Sequence, residues 1–112
     1  MAYYRLVDSG DLSLLELFHP EAEYKRPGYP VFKGQQSLKD FYANDRIIAA
    51  GKHEIERMFS QDKFIAVEGT LRGSLKSGET VMVKFSDFFD LEQQPNGYLI
   101  RSRRTYFDDV KV

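Results

Sequence analysis

The stretch "VMVKFSDFFDLE", residues 81–92, alternates like a strand with one side chain out of place. Val81, Val83, Phe85, Asp87, Phe89 and Leu91 share one face, because successive strand side chains point to opposite sides. All but Asp87 are apolar, so the pattern predicts a carboxylate aimed into whatever that face covers. The other face carries Met82, Lys84, Ser86, Phe88 and Asp90 and can meet water or a partner. An inward acid can act as a general acid or base, or it can be half of a structural ion pair. An arginine is the natural partner for such an acid. A guanidinium is always charged, so it can stabilise an anion and cannot serve as a base at neutral pH.

Other chemistry-bearing stretches carry less. His19 and His53 are far apart and show no metal-ligand spacing, so no metal site is expected. "GTLRGSLKSGET" lacks the Gly-Lys-Ser/Thr end of a phosphate loop, and a hairpin explains its glycines. The charges of "RSRR" alternate between strand faces, which suits ion pairs better than a nucleic-acid patch. With 16 basic and 17 acidic residues and a net charge of −1, the chain offers no bulk attraction to nucleic acid. It has no cysteine, so there is no disulfide, thiolate ligand or thiol nucleophile. No apolar run approaches the roughly 20 residues of a membrane span. The start "MAYYRLVDSGD" lacks the basic and apolar regions of a signal peptide. The expectation is a cytoplasmic protein, one domain over residues 1–112, with no cofactor and no membrane partner.

The elements that would position Asp87 follow from local pattern. Residues 2–8 and 12–18 read as short helices separated by "SGD", where Ser9 or Asp11 can cap. A proline-broken strand follows, with Ala22, Tyr24 and Arg26 on one face. "QQSLKDFYANDRIIAAG" predicts the longest helix, with Gly51 as its C-terminal cap. Strands are then predicted over about 53–60, 63–73, 79–92 and 98–108. Asn96-Gly97 signals a type I′ hairpin, which needs positive φ at both central residues. Helices followed by an antiparallel meander predict an α+β domain.

Across nearly the whole chain, "YYRLVDSGDLSLLELFHPEAEY", "FKGQQSLKDFYAN", "KFSDFFDLE" and "NGYLIRSRRTYFD" in this order resemble the SnoaL-like polyketide cyclases and ketosteroid isomerases. Both belong to the nuclear transport factor 2-like superfamily. The resemblance implies a cone-shaped, cystatin-like fold. Three N-terminal helices would pack on a strongly curved, mixed but mostly antiparallel sheet, with a ligand pocket at the wide end. It implies a homodimer through the outer sheet face, where Met82 and Phe88 lie. In the isomerases an acid matching Asp87 and a tyrosine matching Tyr3 donate to an enolate oxygen, and a tyrosine matching Tyr42 supports the first. The isomerase base, an aspartate just before a proline, is replaced here by Arg26. If the last strand follows the family, Ile100, Ser102, Arg104 and Tyr106 face inward.

The candidate catalytic residues are therefore Asp87 and Tyr3. The candidate ligand contacts are Arg26, Tyr42, Arg104, Tyr106, Tyr24, Phe59 and Phe85, with Tyr29, Phe41 and Phe89 as further walls. Two functions remain open. One is an isomerase, cyclase or hydrolase acting on a compact apolar, steroid- or polyketide-like molecule in a mostly apolar pocket. The other is a non-catalytic binding or dimerisation module of the same fold.

Overall fold

Strand alternation does dominate the chain in the computed structural model, which describes residues 2–109. The strands are β1 (Phe18–Lys25), β2 (Phe32–Lys33), β3 (Ile48–Gln61), β4 (Phe64–Leu75), β5 (Thr80–Gln94) and β6 (Gly97–Phe107). They make one sheet in the order β2-β1-β6-β5-β4-β3. β1 runs parallel to β6 and every other pairing is antiparallel, so the sheet is mixed as expected. On β5, Val81, Val83, Phe85, Asp87 and Phe89 are all buried, and Met82 on the opposite face is 60% exposed.

The helical segments cover one sheet face. In α1 (Ala2–Ser9), Tyr3, Tyr4 and Val7 are buried, the i, i+1, i+4 stripe of a short amphipathic helix. A 3₁₀ helix, Leu12–Leu17, follows, and the Asp11 carboxylate caps it by accepting from the Ser13 amide at 2.9 Å. The third segment is α2 (Gly34–Asp40), continued by a π turn over Phe41–Asp45 that buries Phe41. The described residues thus hold three helical segments, but not three at the N-terminus: β1 and β2 separate the second from the third.

The third helix also stops earlier than its pattern suggests. Arg46 already has extended backbone, and Ile48 pairs with Leu75 in the sheet. The Lys76 amide donates to the Ile47 carbonyl and Lys76 Nζ to the Asn44 carbonyl, both at 2.7 Å. These tertiary partners satisfy carbonyls that further helix would have used. Residues 48–51 therefore begin β3, and Gly51 is not a helix cap.

Bulges shape the sheet. β3 carries register shifts at Ile48/Ala50 and Ile55/Arg57, and a glycine of β4 lies close to each. A Cβ on Gly73 would stand 2.2 Å from the Ala50 carbonyl oxygen, and one on Gly69 2.2 Å from that of Glu54. Only glycine permits that approach, so the strand can bend there. In β6 a bulge at Arg101 separates the pairs Leu91–Ile100 and Asp90–Ser102. One extra residue reverses the faces beyond it. Ile100 is inward, but from there Arg103 and Thr105 point in, and Ser102, Arg104 and Tyr106 point out.

The last hairpin forms, but not as a type I′ turn. Gln94 pairs with Gly97, so Pro95 and Asn96 are the central residues, and only Gly97 (φ 139°) has positive φ. Proline's fixed φ excludes the mirror-image turn. Among the described residues no helix is long and apolar enough to cross a membrane.

Candidate functional site

Asp87 is fully buried at the centre of the sheet and is surrounded by donors. Arg103 Nη2 reaches both carboxylate oxygens, at 3.1 and 3.0 Å. Tyr4 donates its hydroxyl to Oδ2 at 2.5 Å, and Thr105 donates to Oδ1. The partners come from α1 and β6, one carried by helix periodicity and the other by the bulge at Arg101. Asp87 thus acts as an acceptor, half of a buried ion pair. The guanidinium of Arg103 is packed between the rings of Tyr3 and Tyr24, 4.5 Å from each centroid. Burial alone would pull the Arg103 pKa down. Asp87 and the surrounding tyrosines outweigh that and hold it well above the ordinary arginine value.

Tyr3 and Tyr42 meet through their hydroxyls at 2.6 Å, the contact that the family resemblance implies. Arg103 Nη1 donates to the Tyr42 hydroxyl at 3.2 Å. If Tyr42 passes its proton toward Tyr3, the Tyr3 hydroxyl proton is left for a third group. Burial raises the pKa of Tyr3, Tyr4 and Tyr42 above the usual 10.0, so all three are donors at neutral pH. Ionisation is then easier in the unfolded chain than in the folded one. Stability is complete below pH 10 and is lost as pH rises beyond it. In an alkaline titration, these three buried tyrosines should ionise only with loss of circular dichroism. Tyrosinate absorbance completing while the fold is intact would contradict this.

A second cluster joins α1 to β3. Asp8 lies four residues after Tyr4, one turn along the same helix face. Its carboxylate accepts from the His53 amide at 2.9 Å and binds His53 Nδ1 at 2.5 Å. The imidazole lies against Tyr4 and Phe85, with ring centroids 5.1 Å from each. A carboxylate can only accept in this contact, so Nδ1 carries a proton, and in the neutral imidazole the lone pair sits on Nε2. No group among the described residues hydrogen-bonds Nε2.

Both clusters border one cavity. Tyr3, Tyr42, Arg103, His53 and Phe85 all line it, and Arg26 and Arg46 also contribute. The enclosed space is only about 10 Å³, room for one water-sized sphere. A larger hollow of about 520 Å³ shares Val7, Tyr42, Arg46 and Ile48 with it and opens to solvent. Arg46 therefore stands at the mouth. Among the described residues no three histidine, aspartate or glutamate side chains converge as a metal site would need.

Residues 1–95 match the SnoaL-like domain family. This chain is a SnoaL-like protein. No curated protein matches its sequence significantly. Solved structures share its fold at low identity. A nuclear transport factor 2-like protein of unknown function from Burkholderia pseudomallei is 20% identical, with TM-score 0.82 over 95% of this chain and 85% of its own. A ketosteroid isomerase-like protein from Erwinia carotovora atroseptica is 16% identical, with TM-score 0.76 over 96% and 89%. The epoxide hydrolase/cyclase-like enzyme SalBIII, of pyran ring formation in the polyether salinomycin, is 22% identical, with TM-score 0.79 over 95% and 84%.

In this SnoaL-like protein the expected site residues divide. Tyr3, Arg26, Tyr42 and Phe85 do line the cavity. Asp87 does not; it sits behind the lining, bound to Arg103. Tyr24 is also behind, stacked on Tyr42 and donating to Thr105 at 3.2 Å. Arg104 and Tyr106 lie on the outer face because of the bulge, and Arg104 pairs with Asp90 at 2.6 Å. Phe59 is outside too and 60% exposed, on the outward face of β3. The sequence reading missed Asp8, His53, Arg46, Arg103 and Thr105. Only Asp8 left a usable trace, its i+4 spacing from Tyr4. His53 sits on an inward position of β3, but the bulges hide that parity.

Proposed function

We propose that this SnoaL-like protein is an acid–base enzyme acting on a small carbonyl compound, by isomerase- or cyclase-type proton transfer. His53, held by Asp8 with Nε2 available beside a cavity that Tyr3 also lines, is the observation that supports this best. His53 Nε2 takes a proton from the carbon next to the carbonyl. The charge moves to the carbonyl oxygen, where Tyr3, backed by Tyr42 and Arg103, donates. The imidazolium then returns the proton at a second carbon or to an oxygen. Arg26 stands where the isomerases carry their base, so the base comes from β3 instead. Asp87 fixes Arg103 and Tyr4 and touches no substrate. The salinomycin cyclase-like relative supports a polyketide-like ligand with a largely apolar body.

The test is proton exchange in deuterated water, followed by NMR, over a panel of small ketones and β-dicarbonyl compounds. Exchange above the buffer rate with at least one compound is expected. None with any, alongside clear ligand binding, would favour the alternative, a non-catalytic binding module. The small enclosed volume of the cavity is what favours that alternative.

The protein is proposed to work as a cytoplasmic homodimer. On the outer sheet face Phe64, Phe88 and Tyr106 form a row, with Phe64–Phe88 centroids 6.0 Å and Phe88–Tyr106 centroids 5.9 Å apart. Met82 and Phe59 are each 60% exposed on the same face. An apolar face of this kind suits a two-fold partner. Light scattering at low micromolar concentration should show twice the 13.0 kDa chain mass, and a Phe88→Glu variant should be monomeric. A wild-type monomer would refute the dimer.

A further inference from the structure

The charge of the cavity wall is one-sided. Among the described residues three arginines and a histidine line it, and no aspartate or glutamate does. The nearby acids already have partners: Asp87 is bound by Arg103, and Asp8 by His53. Asp87 therefore accounts for Arg103. It does not account for Arg46, the half-buried guanidinium at the mouth, which has no ion pair among the described residues. Burial lowers the Arg46 pKa, Tyr3 and Tyr42 raise it and Arg26 lowers it, with a net shift downward. Removing a cation from water with no counter-charge is unfavourable. Arg103 adds a second incomplete group, a buried Nε–H that lacks an acceptor.

We propose that the ligand carries a carboxylate that docks on Arg46 at the cavity mouth, with its uncharged body in the outer hollow and its carbonyl end turned toward His53 and Tyr3. The proposal rests on the binding site described above and names its substrate class. A planar guanidinium fork matches a carboxylate in two parallel hydrogen bonds. Asp8 borders the same outer hollow, so a monoanion is tolerated there better than a phosphate dianion. The missing counter-charge of Arg46 is supplied by the ligand, which ties recognition to one end of the molecule and leaves the carbonyl end for chemistry.

The experiment uses benzoate, its neutral isostere benzamide, and phenyl phosphate as probes. Each is titrated into the full chain, following backbone and arginine Nε–H resonances by NMR. Benzoate should bind with shifts centred on Arg46 and Tyr42, and benzamide should bind at least about tenfold more weakly. Arg46→Gln should weaken benzoate by about tenfold or more without lowering the melting temperature. Arg57→Gln, the same charge change on the exposed side chain of the outer face, should leave benzoate affinity unchanged. Three results would overturn the proposal: no benzoate binding up to about 10 mM, equal affinity for benzoate and benzamide, or benzoate affinity unaffected by Arg46→Gln. Tighter binding of phenyl phosphate would overturn the choice of a carboxylate. Benzoate bound through Arg46 by a protein that exchanges no proton with any carbonyl compound supports the anion site and removes the enzymatic function instead.

Discussion

Asp87→Asn is expected to cost about 3–5 kcal/mol of folding stability, because it breaks a buried ion pair and leaves one partner charged. Asparagine fits the space. Its amide, however, would have to face Arg103, Tyr4 or Thr105, all of which are donors toward that carboxylate. Arg103 would then be a buried cation between two tyrosine rings with no counter-charge. For a domain of this size the loss corresponds to a fall in Tm on the order of 20 °C. An inward acid used as a pocket anchor would behave otherwise, with a small stability change and a large loss of ligand affinity. Replacing both partners, Asp87→Leu with Arg103→Met, should cost much less than the sum of the single changes, since neither charge is then stranded. Thermal melting of the two single variants and the double variant checks this. A shift of only a few degrees in Asp87→Asn would show that the pair is not what holds the sheet centre together.

His53→Gln is expected to lower kcat/KM by roughly 10²–10⁴-fold on whichever carbonyl compound the wild type turns over, the range for loss of a positioned general base. Glutamine keeps a polar end of similar reach toward Asp8, so the fold should change little. KM should move far less than kcat, because the base acts on the transition state and contributes little to ground-state binding. Asp8→Asn should also lower kcat/KM, since an amide no longer selects the tautomer with its lone pair on Nε2. If His53→Gln retains full activity, the proton is moved by another group.

Much of the architecture is legible in the residues alone. The alternation in 81–92 put Asp87 on the covered face, and the structure agrees, because which face a strand residue takes depends mainly on its immediate neighbours. The apolar stripe of α1 and the strand order of the meander are local in the same way. The Tyr3–Tyr42 contact came from the family resemblance, and it holds. What it did not convey is that Tyr4, one residue on, is the tyrosine that reaches Asp87.

Tertiary structure alone decided the rest. Arg103 and Arg104 are the same residue type one position apart, so nothing local says which faces inward. The bulge at Arg101 decides it, through pairing with β5 that reverses every later side chain. The third helix stops at Arg46 because Ile48 finds Leu75 and Lys76 takes up the preceding carbonyls, and propensity within 35–51 cannot register those partners. Asp8 and His53 are 45 residues apart and meet only where α1 crosses β3. Periodicity is written between neighbours along the chain, whereas bulges, register and long-range pairs come from contacts that exist only once the sheet has closed.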